Sequence, residues 1–291
     1  GHFSPSPCEE RPVATFVPYA EAIKKKVNIP VVGVGRIHTP ELAEELLTKG
    51  KVDLVAMARQ LLADPSWPRK VAAGELEDIC PCICCNHCLD ELEKGNPIRC
   101  AVNAFMGREN EWKLSPAKQV KNILVVGGGP AGMEAARVAA IVGHKVTLCE
   151  KEKALGGQLL LASKPPRKKR IEEFADFLIK QIQKLGVDIQ TGKEVNLKVV
   201  TELKPDEVIM ATGVTPVTPA IKGINRENVV RVEEVIVGNA EVGNKVVIIG
   251  GGEVGCEAAE LLAEKGKRVI VVEVLDELAS KLTFRQRHFL S

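Results

Sequence analysis

Two stretches of this chain, 121–150 and 245–273, carry one pattern: an apolar run, three glycines, a small-residue helix, and a second apolar run ending in glutamate. The first copy reads Gly127-Gly128-Gly129-Pro130-Ala131-Gly132, and the second reads Gly250-Gly251-Gly252-Glu253-Val254-Gly255. Glu150 follows Gly127 by 23 positions, and Glu273 follows Gly250 by the same 23. A buried strand that turns through glycines into a helix and then a second strand is a parallel βαβ unit. Two copies make an internal repeat and place the chain in the α/β class.

The glycine spacing has a physical reading. Gly127 makes a tight turn, Gly129 leaves room for a pyrophosphate, and Gly132 lets helix and strand pack closely. Free N–H groups at the helix start, with Ala131 among them, and the helix dipole suit phosphate oxygens. Glu150 can accept ribose hydroxyls. Gly250, Gly252, Gly255 and Glu273 repeat the arrangement. Val-Leu-Asp follows Glu273 and Arg268 starts the strand, so no arginine stands there for a 2′-phosphate. This favours NAD(H) over NADP.

A second concentration of chemistry lies between residues 80 and 100. "CPCICCNHC" places five of the nine cysteines within residues 80–88, and Cys100 follows. Cys82, Cys85 and Cys88 are each separated by two residues. Such a run can wrap three corners of an iron–sulfur cluster, with a distant cysteine closing it. Zinc sites usually show two such pairs, and His87 is a conceivable substitute ligand. Spacing favours iron–sulfur and leaves zinc open. Cys80 and Cys84 fall outside the register. Cys149 and Cys256 lie at apolar positions of the repeats and read as core residues.

The first 70 residues alternate in the same sense. Helix is expected over Tyr19–Lys26, a strand buried on both faces over Ile29–Gly35, and another over Val52–Ala58. Thr39 and Pro40 open the intervening helix, which stops at Gly50. Residues 80–100 read as loop and 101–118 as linker. Further strands are expected at 122–129, 145–150, "VDIQ" and 207–213, with a long helix near 171–185.

Bulk composition excludes other classes. A net charge of +2 and 3% aromatic residues give no basis for nucleic-acid binding. No apolar run is long enough to span a membrane. Clustered cysteines and no visible signal peptide point to a reducing, cytoplasmic setting.

"LGGQLLLAS" and "MATG" add to the first fingerprint. They resemble the FAD half of the two-dinucleotide-domain flavoprotein reductases. That resemblance implies FAD at the first site, with Gly157 and Gln158 beside the flavin nucleotide and Ala211, Thr212 and Gly213 near it. NAD(H) is then implied at the second site. "PCICCNHCLDELEKGNPIRCAVNA" resembles the cluster segment of the iron–sulfur NADH:flavin oxidoreductases, which include 2,4-dienoyl-CoA reductase, 2-enoate reductase and trimethylamine dehydrogenase. Cys84 stands where that family usually has glycine. The resemblance implies a [4Fe–4S] cluster on Cys82, Cys85, Cys88 and Cys100. It makes the first segment the C-terminal end of an FMN-binding (β/α)8 barrel, with Gly33, Gly35, Arg36, Ala58 and Arg59 at the strand ends and backbone N–H groups of the last four on the FMN phosphate.

The implied domains are 1–79 (barrel end), 80–118 (cluster segment and linker), 119–214 (FAD) and 215–291 (NAD(H)). The implied reaction carries electrons from NADH through FAD and the cluster to FMN, for an activated C=C bond of an enoate or enoyl thioester. Outward flow, as in an amine dehydrogenase, and a non-catalytic remnant are the alternatives. Six barrel strands and the returning FAD segment are missing, so a fragment is expected, with the catalytic residue and oligomeric state undetermined.

Overall fold

A computed structural model describes residues 12–280. Cys8 and residues 281–291 lie outside the described residues. Two compact units emerge. One runs to Glu109 and adds Ile248–Glu257 and the residues from Val271; the other is Asn110–Val247 with Ala258–Ile270.

In the first unit the order is α1 (Val17–Lys24), β1 (Val32–Gly33), α2 (Pro40–Thr48), β2 (Leu54–Val55), α3 (Arg59–Ala63), α4 (Trp67–Ala73), a 3₁₀ turn (Leu76–Asp78) and α5 (His87–Glu93). Strands β1 and β2 are parallel, with Val32 opposite Leu54. Thr39 caps α2 through Oγ1, which accepts from Leu42 N at 3.3 Å. The helix stops before Gly50, whose φ of 65° suits glycine. Val17, Val31, Ile37, Leu46, Val52 and Trp67 form the core.

Three expectations change here. The strands are two residues long, not seven, and the first is not buried on both faces: Val32 is 47% exposed while Gly33 is buried. Among the described residues each pairs with the other alone, so the outward positions stay exposed. Ala58 and Arg59 do not end a strand; Ala58 precedes and Arg59 opens α3. Residues 80–100 also contain α5. Its start is set by Asn86 O, which accepts from Leu89 N and Asp90 N, and its surface by the Asp90–Lys94 pair.

The chain continues through β3 (Asn122–Val126), α6 (Pro130–Ile141), β4 (Lys145–Glu150), α7 (Gln158–Ala162), α8 (Lys169–Lys184), β5 (Asp188–Thr191), α9 (Leu197–Leu203), β6 (Glu207–Met210) and α10 (Val232–Val237). The four strands form one parallel sheet in the order β5-β4-β3-β6. Sequence order reverses at β3, which opens a crevice beyond the strand ends between β3 and β6. Leu124, Val125 and Leu148 are fully buried, as are Met133 and Ala136 of α6. Helix α8 buries Phe174, Leu178 and Ile182 at four-residue spacing, one face of a 3.6-residue helix.

The second repeat supplies β7 (Lys245–Ile249), α11 (Glu253–Glu264) and β8 (Arg268–Val272). Strands β7 and β8 form a two-stranded sheet with alternating exposure.

Leu148→Ala should destabilise the four-stranded unit by about 2–5 kcal/mol, since a buried cavity is left. Val247, 59% exposed, should tolerate alanine within about 0.5 kcal/mol. Urea unfolding of both variants measures the contrast.

Candidate functional site

The glycine loops are built alike, atom by atom. Gly127 N donates to Cys149 O at 2.8 Å, and Gly250 N donates to Val272 O at 2.8 Å. Both glycines have positive φ, 109° and 106°. A β-carbon on Gly132 would lie 1.8 Å from Gly127 O, and one on Gly255 would lie 1.9 Å from Gly250 O. Neither position admits a side chain. Gly129 and Gly252 differ: nothing lies within 4 Å of a β-carbon there. That open space faces the start of α6 and of α11, where unpaired backbone N–H groups gather. Space and donors together fit a pyrophosphate.

The glutamates hold these loops. Glu150 accepts from Gly128 N at 2.6 Å and from Glu152 N at 2.8 Å. Glu273 accepts from Gly251 N at 2.6 Å and from Val274 N and Leu275 N. The N–H groups of Leu275, Gly251 and Val274 hold the Glu273 carboxyl below the usual carboxylate range. The sequence pointed to ribose for these residues; the structure shows them bracing the loop, and a carboxylate has lone pairs beyond those used here.

The loops differ on one side. A β-carbon on Gly127 would meet Ala211 O at 2.3 Å, whereas the corresponding position at Gly250 is open. The turn after β6, Ala211 to Gly213, therefore lies against the first loop, anchored by Ala211 N on Val126 O. Gly156 N donates to Gly128 O, and a β-carbon on Gly157 would touch Gly129 Cα. Gln158 Nε2 donates to Val214 O at 3.2 Å. The Gly156–Gly157 turn and the turn after β6 thus lie against Gly127, Gly128 and Gly129.

In the other unit, Cys82, Cys85, Cys88 and Cys100 line one small cavity with Arg59 and Asn86. Cys80 and Cys84 lie outside that lining. The Cys80 thiol faces Val102 O at 3.6 Å. Cys84 adopts φ 56°, a left-handed conformation that glycine adopts most readily. Burial and the neighbouring Cys100, Cys88 and Cys84 push the Cys85 thiol up to about 11. The Cys84 thiol and then burial raise Cys82; burial and then Cys100 raise Cys88. Buried thiolates need a cationic partner before they can form. Among the described residues, no three His, Cys, Asp or Glu side chains converge closely enough for a single metal ion. A tetrahedral zinc would need sulfurs about 3.8 Å apart, from bonds of about 2.3 Å. Four thiols lining one cavity, without such a single-ion cluster of ligands, fit a multi-iron cluster.

The cysteine loop is positioned by α3, through residues the sequence did not single out. Gln60, buried, donates to Cys80 O at 2.8 Å and accepts from Cys82 N at 3.0 Å. Asp64 accepts from Cys80 N at 2.9 Å and pairs with Lys70 at 2.6 Å. Asn103 donates to Leu62 O. Their only signal was buried-type spacing: Gln60 and Asp64 stand one helical turn apart.

Residues 121–289 match the model of the pyridine nucleotide-disulphide oxidoreductases, more than half the chain. The chain belongs to that family. Residues 7–78 match the NADH:flavin oxidoreductase / NADH oxidase family. An NADH oxidase of Thermoanaerobacter brockii is 46% identical over 269 residues, covering 89% of this chain and 41% of the relative. A cinnamate reductase of Clostridium sporogenes is 40% identical over 264 residues, covering 90% of this chain and 39% of the relative. A solved structure of 2-naphthoyl-CoA reductase superposes with a TM-score of 0.93 at 34% identity, covering 97% of this chain and 44% of the other. The chain spans about two fifths of the length of the curated relatives it matches.

The two matched families point to FAD and a nicotinamide nucleotide for residues 121–289 and to FMN for residues 7–78. Around the FMN positions, Gly33 has no room for a side chain: a β-carbon would lie 2.8 Å from Val52 Cγ1. Gly35 and Arg36 follow β1 with positive φ. The Arg59 side chain turns to Asn86 in the cysteine cavity. No helix among the described residues is long and apolar enough to cross a membrane.

The two kinds of glycine separate folding from binding. Gly129→Val should leave the far-UV spectrum and thermal midpoint near wild type yet abolish FAD retention, read from flavin absorbance. Gly132→Ala should lower the midpoint as well, because its β-carbon meets backbone.

Proposed function

We propose that this chain is part of an NADH-dependent flavin and iron–sulfur oxidoreductase that reduces an activated C=C bond of an enoate or enoyl thioester. The observation that carries the reading is the cavity lined by Cys82, Cys85, Cys88 and Cys100, in a chain with two matching glycine loops. The proposed parts are 1–79 for FMN, 80–118 for the [4Fe–4S] cluster, 119–214 for FAD and 215–291 for NAD(H). When bound, the nicotinamide supplies hydride, the cluster single-electron transfer, and the two flavins convert between these.

The chain's own residues hold and orient. Gly127, Gly129, Ala131 and Gly132 cradle one pyrophosphate; Gly250, Gly252 and Gly255 cradle the other. Glu150 and Glu273 keep each loop in shape and accept ribose hydroxyls. Gly157, Gln158 and the Ala211–Thr212–Gly213 turn border the flavin nucleotide. Backbone N–H groups at Gly35, Arg36, Ala58 and Arg59 bind the FMN phosphate. Gln60 and Asp64 present the cysteines. The printed names of two relatives, a cinnamate reductase and a 2-naphthoyl-CoA reductase, support an α,β-unsaturated acid or thioester as substrate.

Protein purified without oxygen should contain about four irons with matching sulfide per chain. Zinc without sulfide would sink the cluster assignment. Cys100→Ala should abolish the broad iron–sulfur absorbance, and Cys80→Ala should leave it. Anaerobic NADH should bleach the flavin absorbance, and cinnamate added to the whole protein should restore it; bleaching without restoration rejects the substrate class.

A further inference from the structure

The cysteine cavity holds one polar group that the protein leaves unsatisfied. Asn86 is 1% exposed and lines the cavity among Cys82, Cys85, Cys88 and Cys100. Its Oδ1 accepts a hydrogen bond from Arg59 Nη1. Arginine only donates, so the atom facing it must be the oxygen, which fixes the amide's orientation. The amide nitrogen Nδ2 then points away from Arg59, and it is buried with no hydrogen-bond partner among the described residues. A buried amide donor without an acceptor is costly, and native proteins rarely leave one. Asn86 also takes φ 58°, which asparagine tolerates better than most side-chain-bearing residues. Backbone and side chain are both committed to an orphaned donor at the cavity wall.

The missing partner is an acceptor inside the cavity. Resting on the cluster reading above, we propose that Asn86 Nδ2 donates a hydrogen bond to a sulfur of the cluster held by Cys82, Cys85, Cys88 and Cys100, and thereby raises its reduction potential. Reduction adds negative charge to the sulfurs. A fixed N–H donor stabilises that charge more in the reduced form than in the oxidised form. Arg59 acts as a positioning residue: it holds the amide by its oxygen and lines the same cavity.

The experiment uses the full chain, grown with asparagine carrying ¹⁵N only in its side-chain amide and purified without oxygen. Iron and sulfide are measured first. Their absence overturns the cluster reading itself, and this inference with it. With the cluster present and reduced, electron–nuclear double resonance should show a ¹⁵N coupling to it. Asn86→Gly keeps the left-handed backbone at ease while removing the amide. It should lose the coupling and show a lower midpoint potential at unchanged iron content. An unchanged potential in the loaded variant overturns the proposal. If the variant fails to load iron, the wild-type spectrum decides: a cluster without ¹⁵N coupling overturns it.

Discussion

Gly132 approaches the preceding turn so closely that a β-carbon would lie 1.8 Å from Gly127 O. That contact draws the start of α6 onto the end of β3 and brings free N–H groups toward the same space that Gly129 leaves open. The second loop repeats it through Gly255 and Gly250. In each copy a glutamate from the adjoining strand end ties the middle glycine by a 2.6 Å hydrogen bond. A loop of three glycines would otherwise be the most mobile part of the unit. The carboxylate removes that freedom without adding a side chain where a ligand must sit.

A different device orders the cysteine segment. It has no regular strand, so its backbone groups need partners elsewhere. Gln60 and Asp64 provide them, reaching from α3 to Cys80 and Cys82. The charge on Asp64 is matched by Lys70, which also donates to Asp78 O. Helix α5 then carries Cys88 in its first turn. Four thiols far apart in the chain's local geometry thus share one cavity.

Much of this was legible beforehand. The repeats, their offsets and the order of elements follow from glycine and apolar spacing, which report local geometry directly. Thr39 and Pro40 announced α2 for the same reason. What escaped notice depends on tertiary pairing. Ile29–Gly35 reads as a strand buried on both faces because its residues are β-branched, but burial depends on neighbours, and one strand among the described residues pairs with it. Gln60, Asp64 and Asn86 look like ordinary polar residues until folding buries them against the cysteine loop. The short α5 was written in the Asp90–Lys94 pair and Gly95 stop but was overshadowed by the cysteines.

The Gln60–Asp64 clamp bears on how the proposed cluster would be bound. In small zinc modules the ion supplies the folding energy, so binding and folding are one event. Here side chains of a neighbouring helix fix the path of the loop at Cys80 and Cys82. A cluster held as proposed would meet a backbone that protein contacts already order, and what it would still demand of the chain is proton loss from buried thiols.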